Sequence, residues 1–526
     1  MSDEQDNRFD IFVIGGGING VGIARDTTGR GLKVALAEMG DLGGGTSSAS
    51  TKLFHGGLRY LEYFEFNLVR EALKEREILL SAMPHISWPM RFIVPYDKKM
   101  TFENDSPTSR LFSFVMPWYK GTRPFWLIKL ALLLYDNLGR RTILPPSKTI
   151  NLKADLDRNP LKKRFTKAFE YSDCWVDDSR LVVLNARDAH SKGAKILPRH
   201  KVIGAKRMEN EWIVEVKNQE SNKLLTYHCK LLVNASGPWV QNVITNTLKV
   251  NSSLSVRLVK GSHIVTKKLY EHEKCYFFQG QDGRIVFTIP YEADFTLIGT
   301  TEEVHKELNF APSCSEKEKK YLLNFVNEYF SNPVLEKDIV WSYAGLRPLY
   351  DDGSKSSSAV SRDYFIDLDQ NSNTAPLINV YGGKITTYRK LAEAAFEQVA
   401  HLFPKSGKNW TEKGYLPGGG FEISSFEDLV SDILKNHSFL SPALVRRLVR
   451  LYGTEVYKML KRKTNTVDLG QHFGSSLYAF EIDWATKHEW VTRAEDFIWR
   501  RTKLGLRLNA EQIKSIEKYI KLNSII

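Results

Sequence analysis

A glycine-rich turn between two short apolar segments near the amino terminus constrains the fold of this chain more than any other feature. Residues 9–14 (FDIFVI) have the composition of a buried strand, and the turn 15–20 (GGGING) follows with the spacing GxGxxG. A helical stretch, 21–30, then leads to a second strand, 33–38, which ends in Glu38. In such a unit the glycines let the backbone approach a pyrophosphate, and the acid accepts hydrogen bonds from ribose hydroxyls. The segment therefore predicts a Rossmann-like dinucleotide site.

The choice between NAD and FAD is left open by this motif. The polar segment after the second strand favours FAD, because hydroxyls, backbone amides and a lysine at this place suit a second phosphate and the flavin end of a long cofactor. Its residues are Thr46, Ser47, Ser48, Ser50 and Lys52, followed by the sequence HGGLRY from His55 to Tyr60.

Composition narrows the class of protein further. The 526 residues, 42% hydrophobic and 26% charged, predict a folded chain of two or three domains. Four scattered cysteines form no CxxC pair, and no cluster of histidines and carboxylates has metal-ligand spacing, so we expect reduced thiols and no metal. The opening MSDEQDNRFD lacks the basic and apolar regions of a secretion signal, which predicts a cytoplasmic chain.

The net charge of +13 indicates an anionic partner, and a substrate, a membrane surface and nucleic acid are the three candidates. Basic clusters are dispersed along the chain, which disfavours nucleic acid. Residues 111–138 combine aromatic and aliphatic side chains, including Phe125 and Trp126, with Lys129 and flanking arginines. The longest apolar run there is six residues, too short to span a bilayer. A helix lying in a membrane interface and a buried core helix both fit this pattern.

Several further motifs resemble those of FAD-dependent glycerol-3-phosphate dehydrogenases. They extend over nearly the whole chain, and HGGLRYLE and GGKITTYRK are the most specific of them. The motifs are GGGINGVGIARD, TSSASTKLFHGGLRYLE, YSDCWVDDSRLV, NASGPW, KGSHIV, AGLRPL, SRDY, YGGKITTYRKLAE, LPGGG and HEWVTRAEDFIWRRTKLGL.

The resemblance implies an α/β fold in which a Rossmann-like FAD-binding domain is interleaved with a substrate domain built on an antiparallel sheet. A helical carboxy-terminal cap domain follows. We expect the FAD-binding domain to comprise residues 1–90, 150–255 and 340–404. The substrate and membrane-facing domain is expected at 91–149 and 256–339, and the helical domain at 405–526.

The activity implied by the resemblance is oxidation of sn-glycerol 3-phosphate to dihydroxyacetone phosphate, with hydride transfer to flavin N5 and electrons passed to a membrane quinone. The enzyme would bind peripherally to the anionic inner face of the cell membrane, and a homodimer is an assembly that the resemblance allows. Such chemistry needs a proton acceptor and cations for a dianionic phosphate. The expected catalytic residues are His263, Arg59 and Lys384, and the expected substrate ligands are Arg347, Arg362, Arg59, Tyr60 and Lys384. The proton acceptor stays open between His263, Lys384 and a water molecule.

The expected FAD ligands come from the same motifs. They are Gly15, Gly16, Gly17, Asn19, Gly20, Glu38, Thr46, Ser47, Lys52, Leu53, His55, Gly56, Gly57, Ser236, Gly237, Gly382, Gly383, Lys384, Ile385 and Thr386.

Rival functions of two classes stay open. A glycerophosphate oxidase would use the same site and pass electrons to oxygen, whereas a flavin amine oxidase would not need the cations. A flavin-containing, RNA-associated protein would use the positive charge, and steeply salt-sensitive binding to RNA would identify it.

Overall fold

The computed structural model describes residues 7–98, 100–101, 106–116, 122–139, 141–153, 159–280, 283–306, 308, 312–351, 363–371 and 374–523. Within these residues the chain forms two large sheets, a short hairpin and twelve α-helices of five residues or more. The strands are β1 Arg8–Ile14, β2 Val34–Ala37, β3 Leu53–Phe54, β4 Ser87–Pro95, β5 Lys148–Asn151, β6 Lys167–Val176, β7 Lys195–Leu197, β8 His200–Arg207, β9 Trp212–Asn218, β10 Leu224–Asn234, β11 Val256–Lys267, β12 Cys275–Gln279, β13 Ile285–Tyr291, β14 Phe295–Gly299, β15 Glu303–His305, β16 Ile339–Tyr350, β17 Tyr364–Asp369, β18 Leu377–Gly382, β19 His472–Gly474 and β20 Leu477–Tyr478. The helices are α1 Ile18–Gly29, α2 Phe66–Ala82, α3 Pro107–Val115, α4 Phe125–Leu138, α5 Asp178–Ser191, α6 Glu316–Asn327, α7 Tyr388–Glu397, α8 Phe426–Asn436, α9 Pro442–Tyr452, α10 Val456–Leu460, α11 Ala479–His488 and α12 Ala510–Asn523.

The first sheet has eight strands and contains the glycine-rich turn. Five of its strands are parallel, in the order β18, β10, β1, β2, β7. Because β1 is covered on both faces, its residues Ile11, Phe12 and Val13 are fully buried. The predicted strands are β1 and β2, and the predicted helix is α1, which begins at Ile18 directly after the glycines and packs between α5 and α7.

The second sheet has ten strands, in the order β15, β11, β14, β13, β12, β4, β6, β3, with β16 beside β11 and β5 beside β6. Its pairings are antiparallel except that between β4 and β12, where the earlier strands of the chain meet the later ones in parallel. The predicted combination of a Rossmann-like domain with an antiparallel-sheet domain is confirmed. The two sheets meet where β16 and β18 approach each other, and the site described below lies there.

Sheet membership divides the chain differently from the expected domain boundaries. Strands β3 and β6, and β16 from Val340 onward, belong to the second sheet although they fall within segments expected in the FAD-binding domain, and β5 of the same sheet crosses the expected boundary between 149 and 150. The reason is that a buried strand pattern does not reveal which sheet the strand joins. Strand β6 pairs along its length with β4, from Ser87 opposite Val176 to Pro95 opposite Ala168, and this register fixes its place.

The carboxy-terminal part is helical, as predicted. Helices α8 to α12 and the β19–β20 hairpin form two apolar clusters of their own. Buried ion pairs attach this domain to the first: Arg180 of α5 lies 2.6 Å from Glu489, and Arg501 lies 2.7 Å from Asp41.

The aromatic and basic segment at 111–138 forms α3 and α4, with 117–121 outside the described residues. On α4 the side chains of Trp126, Leu130, Leu133 and Leu134 are exposed, whereas Leu132 and Tyr135 are buried. Phe125 packs inward against Phe169, with ring centroids 4.5 Å apart. None of the helices in the described part of the chain has the length and apolarity that a membrane span requires.

Candidate active site

The glycine-rich turn lies at the carboxyl end of β1, where the backbone reverses direction. Gly15 has a φ of 109°, in the left-handed region that favours glycine. A Cβ on Gly20 would lie 1.9 Å from the Gly15 carbonyl oxygen. Because neither position accepts a side chain, α1 starts directly against β1. The amino terminus of such a helix stabilises the charge of a pyrophosphate.

Glu38 closes this site from the end of β2. One carboxylate oxygen accepts a hydrogen bond from the Gly16 backbone N–H at 2.7 Å, and the other accepts one from the Gly40 N–H at 2.8 Å. Burial raises the pKa of this carboxyl, and the two amide donors oppose that change. The carboxylate is thus held in a cavity wall, where its remaining lone pairs can accept hydrogen bonds from the hydroxyl groups of a ligand.

A cavity of about 400 Å³, the nucleotide cavity, opens beside the turn. Asn19 lies in its wall, and its Nδ2 donates to the Gly382 carbonyl at 3.1 Å. Its Oδ1 is buried and has no hydrogen-bond partner among the described residues, so a donor on a ligand would satisfy it. Ten of the expected FAD ligands line this cavity: Gly15, Gly17, Asn19, Glu38, Thr46, Ser47, Ser236, Gly237, Gly382 and Gly383.

A second cavity of about 280 Å³, the reaction cavity, continues from the first. Ile18, Thr46, Ser47, Pro348 and Gly383 line both cavities, so one long ligand can occupy the two. This arrangement fits a flavin dinucleotide with its nucleotide end in the first cavity and its ring in the second. Nine more of the predicted site residues line the reaction cavity: Leu53, His55, Gly57, Arg59, Tyr60, Arg347, Lys384, Ile385 and Thr386.

Arg347 reaches the reaction cavity from β16. Its Nη2 donates to Thr300 Oγ1 at 3.1 Å, and its Nη1 lies 3.3 Å from a carboxylate oxygen of Glu302. The guanidinium passes over Gly261 of the paired strand β11, where a Cβ would lie 2.8 Å from Nη2. A residue without a side chain is therefore needed opposite this cation.

Lys384 enters the same cavity from the segment after β18. Its Nζ is buried, lies 4.0 Å from the centroid of the Tyr60 ring, and has no hydrogen-bond acceptor in the part of the chain that the structure describes. Tyr60 and Arg59 lie together on a 3₁₀ helix, Leu58–Tyr63, that forms another side of the cavity. A buried ammonium in these surroundings favours an anionic ligand.

His263 lies behind the cavity wall rather than in it. Its Nε2 is 3.0 Å from Thr51 Oγ1, and Thr51 does line the reaction cavity. The imidazole stacks on Tyr343 with ring centroids 4.8 Å apart. Burial lowers its pKa well below the ordinary value, and the charges of Arg347 and Lys52 lower it further, so the ring is neutral near pH 7.

Four of the expected FAD ligands, Gly16, Gly20, Lys52 and Gly56, do not line either cavity. Lys52 is buried, and its Nζ pairs with Asp178 at 2.7 Å. The protein itself therefore neutralises this lysine, through a residue far away in the sequence. Arg362, an expected phosphate ligand, lies outside the described residues.

Several wall residues were not predicted from the sequence. Tyr171 and Asp173 reach the reaction cavity from β6, and Arg284, Thr300 and Glu302 reach it from the strands and turns of the second sheet. Asp173 falls within the motif YSDCWVDDSRLV, so the motif gave a signal for it. Tyr171 is the first residue of the same motif, whereas Arg284, Thr300 and Glu302 become neighbours only through the order of strands in the second sheet.

Comparison with known proteins agrees with this geometry. Residues 10–389 match the family model described as FAD dependent oxidoreductase, which covers both cavities. The chain belongs to the FAD-dependent oxidoreductase family. Residues 409–523 of this oxidoreductase match a second model, described as the C-terminal domain of alpha-glycerophosphate oxidase.

Relatives of this oxidoreductase match it over nearly its whole length. It is 46% identical over 517 residues to D-erythritol 1-phosphate dehydrogenase of Brucella abortus, covering 98% of each chain. It is 44% identical over 512 residues to glycerol-3-phosphate dehydrogenase of Pseudomonas aeruginosa, covering 97% of this chain and 95% of the relative. The structure of a Bacillus halodurans glycerol-3-phosphate dehydrogenase complexed with FAD is similar, with a TM-score of 0.75 at 25% identity over 99% of this chain and 95% of that one.

These matches establish the cofactor class. The oxidoreductase is FAD-dependent, and the choice between NAD and FAD is decided for FAD. The resemblance of its motifs to glycerol-3-phosphate dehydrogenases is confirmed as well, since relatives of that name match it over nearly its full length.

Proposed function

We propose that this oxidoreductase oxidises the secondary hydroxyl of a small polyol phosphate, with sn-glycerol 3-phosphate as substrate and dihydroxyacetone phosphate as product. The observation that supports this most is the buried Lys384 ammonium in the same cavity as the Arg347 guanidinium. A buried cation is costly without a counter-charge, and a substrate phosphate supplies one. Arginine adds planar, bidentate donors that match phosphate oxygens.

FAD, when bound, accepts the hydride that leaves carbon 2 of the substrate. The protein holds the phosphate, orients carbon 2 and takes the proton of the reacting hydroxyl. We assign phosphate binding to Arg347, Lys384, Arg59 and Arg362. The face of the Tyr60 ring contacts the Lys384 ammonium, with Nζ 4.0 Å from the ring centroid.

We assign to His263 the role of accepting the proton of the reacting hydroxyl, with the Thr51 hydroxyl between the imidazole and the substrate. A neutral imidazole is ready to accept a proton, and the 3.0 Å contact with Thr51 links it to the reaction cavity. His55, which lines the cavity itself, is the rival imidazole, and Lys384 is the rival amine.

Single-turnover reduction of the bound flavin by substrate separates the two histidines. Loss of a general base costs about 100-fold or more. Under this assignment flavin reduction is slow in His263→Asn. In His55→Asn the rate of flavin reduction still decreases measurably at acid pH, because His263 is still present as the proton acceptor. The opposite ranking would move the proton acceptor to His55.

A four-carbon substrate is the second candidate, because a D-erythritol 1-phosphate dehydrogenase is 46% identical to this chain. Its additional hydroxyl would need a polar partner, and Thr300 and Glu302, which contact Arg347 in the cavity wall, are polar groups of this kind. The test is kcat/KM for sn-glycerol 3-phosphate, D-erythritol 1-phosphate and unphosphorylated glycerol. A tenfold preference for the tetritol phosphate would overturn the three-carbon assignment, and equal use of glycerol would overturn phosphate binding.

We further propose that electrons pass to a membrane quinone and that the protein binds peripherally to an anionic bilayer at the inner face of the cell membrane. Apolar side chains are exposed on α4 and, at Leu111 and Phe114, on α3, and we call these side chains the apolar patch. Both helices contact the 3₁₀ helix Leu58–Tyr63 of the reaction cavity. The net charge of +13 complements anionic lipid headgroups.

The acceptor is tested by following a quinone analogue and hydrogen peroxide in parallel during turnover. Faster reduction of the quinone analogue than formation of peroxide is the expected result. Peroxide formed in air at the rate of quinone reduction would instead indicate an oxidase.

A further inference from the structure

Tyr135 occupies an unusual place on α4. Its neighbours Leu133 and Leu134 are exposed on the apolar patch, yet Tyr135 is 2% exposed and its hydroxyl contacts Asp173, which lines the reaction cavity. The ring contacts Tyr171 edge-on at 5.8 Å between centroids, and Tyr171 lines that cavity. The same helix therefore has one face on the molecular surface and one residue at the site.

The Tyr135 hydroxyl bridges two groups of the site. It lies 2.8 Å and 3.0 Å from the two carboxylate oxygens of Asp173, and 2.8 Å from the backbone nitrogen of Gly56. A carboxylate can only accept, so the tyrosine O–H donates to Asp173. A lone pair of the same oxygen then accepts the Gly56 N–H.

Asp173 is fixed on its other side. Its Oδ1 accepts from Arg76 Nη1 at 2.5 Å, and Arg76 also donates to the Ser172 carbonyl at 2.9 Å. Burial raises the pKa of Asp173 to about 6, although Arg76 and Tyr135 both act to lower it. The ion pair gives the tyrosine a rigid acceptor.

Gly56 begins the substrate loop, residues 56–63, which includes Arg59 and Tyr60. A Cβ at Gly56 would lie 2.5 Å from Leu73 Cδ2 and 2.8 Å from the Tyr135 oxygen, so the backbone packs directly against both. Gly57 then turns the chain with a φ of 75° into the 3₁₀ helix Leu58–Tyr63. The position of one amide thus sets where this helix starts.

We propose that Tyr135 is a positioning residue for the oxidation reaction: by holding the Gly56 amide against Asp173 it places Arg59 and Tyr60 for the substrate. This inference rests on the proposed function for its kinetic test. Without the hydroxyl, the buried Gly56 N–H loses its 2.8 Å acceptor on α4 and Asp173 loses a donor, and the Gly56 N–H keeps only its interaction with the Asp173 carboxylate, whose pKa it helps to lower. The hydrogen bond that joins Gly56 to α4 is then lost, and small displacements of positioning groups are costly in rate.

The chain contains a matched control in its helical domain. Tyr452 is buried, its hydroxyl donates to Glu481 at 3.2 Å, and Glu481 pairs with Arg447 at 2.7 Å. The tyrosine, carboxylate and arginine are of the same types as Tyr135, Asp173 and Arg76, but Asp173 lines the reaction cavity, whereas Tyr452, Glu481 and Arg447 line neither cavity. Tyr452→Phe therefore removes an equivalent buried hydroxyl away from the substrate.

The experiment compares FAD-loaded wild type, Tyr135→Phe and Tyr452→Phe. We expect kcat/KM for sn-glycerol 3-phosphate, normalised to bound flavin, to fall about 10- to 100-fold in Tyr135→Phe and to stay within twofold in Tyr452→Phe. Amide hydrogen exchange in residues 56–63 should rise in Tyr135→Phe alone. In combination with Arg59→Ala, the loss should be less than additive, because both changes act on the same loop.

Unchanged kcat/KM together with unchanged exchange in Tyr135→Phe would overturn the proposal. Strictly additive losses in the double variant would also overturn it, because Tyr135 would then act elsewhere. If wild type does not oxidise sn-glycerol 3-phosphate, the proposed function fails, and hydrogen exchange of the substrate loop alone decides the role of Tyr135.

Discussion

Gly261 makes room for the guanidinium of Arg347. The two residues belong to paired strands, with Val259 opposite Arg347 and Gly261 opposite Gly345. A methyl group on Gly261 would lie 2.8 Å from both Arg347 Nη2 and Thr300 Oγ1. The end of a long side chain moves more easily than a strand, so the guanidinium would be displaced.

Gly261→Ala should therefore raise the KM for sn-glycerol 3-phosphate about tenfold, with bound FAD and Tm close to those of wild type. Gly204→Ala is the matched control, since the nearest atom to its added methyl is Glu215 Oε2 at 3.3 Å and it lies in β8, outside the reaction cavity. Steady-state kinetics and flavin content test this. A KM unchanged from wild type would mean that Arg347 does not bind the phosphate.

Glu318 gives a prediction for the dependence of stability on pH. Burial acts to raise its pKa, but hydrogen bonds from the Ser315 backbone, Ser262 and Lys260 lower it from 4.5 to about 2. The carboxylate is thus favoured in the folded state, and its stabilisation is present above pH 4.5 and lost as the pH falls towards 2. Between pH 4.5 and about 2 the Tm of the wild type should therefore fall by more than the Tm of Glu318→Gln. Curves of Tm against pH that run parallel for the two proteins would contradict the lowered pKa of Glu318.

For single residues, the sequence predicted which chemical groups belong to the site but not how deeply each side chain is buried. The glycines at 15–20 and Glu38 have roles that follow from local spacing, and the nucleotide cavity is built on them. The position of His263 behind Thr51 depends on a side-chain contact between residues 212 positions apart in the sequence. The neutralisation of Lys52 by Asp178 is likewise a tertiary contact that local pattern does not reveal.

Helix α4 has two proposed functions, one on each of its faces. Its outer face presents Trp126, Leu130 and Leu133, and its inner face holds Tyr135 against the substrate loop. Hydropathy and aromatic content left an interfacial helix and a buried core helix both open, and they did not show which residues face outward. Phe125, grouped with Trp126 in the sequence pattern, instead packs on Phe169.

Replacing Trp126 and Leu133 by serine should weaken binding to vesicles that contain anionic lipid by at least tenfold. Each exposed side chain of this size contributes about 1.5–3 kcal/mol when it is buried in an apolar phase. The control replaces Leu224 and Val467, which are exposed on other elements, by serine. Cosedimentation at fixed salt measures the difference, and equal loss in both variants would contradict a specific patch.

Buried ion pairs connect the helical domain to the FAD-binding domain. Glu489 receives Arg180 at 2.6 Å and Arg187 at 3.6 Å, and the side chains of Glu489 and Arg180 are fully buried. The β1–α1–β2 unit was predictable from local sequence pattern, and the helical domain was predictable from the family resemblance. These arginine and glutamate partners were not, since they connect segments about 300 residues apart.

Glu489→Ala should destabilise the protein by about 3–5 kcal/mol, because it leaves the Arg180 guanidinium buried without its partner. Glu427→Ala removes an exposed pair with Arg446 in the same domain and should cost no more than about 1 kcal/mol. Chemical denaturation of the two variants side by side measures the difference. Equal destabilisation would show that the buried pair does not hold the domains together.

Anaerobic titration of the FAD-loaded wild-type protein with sn-glycerol 3-phosphate, followed by flavin absorbance, tests the proposed oxidation without any electron acceptor. We predict that the oxidised flavin band is lost on addition of this substrate and persists with unphosphorylated glycerol at the same concentration, because the cations of the reaction cavity hold the phosphate. An oxidised band that persists with sn-glycerol 3-phosphate, or disappears equally with glycerol, would contradict it.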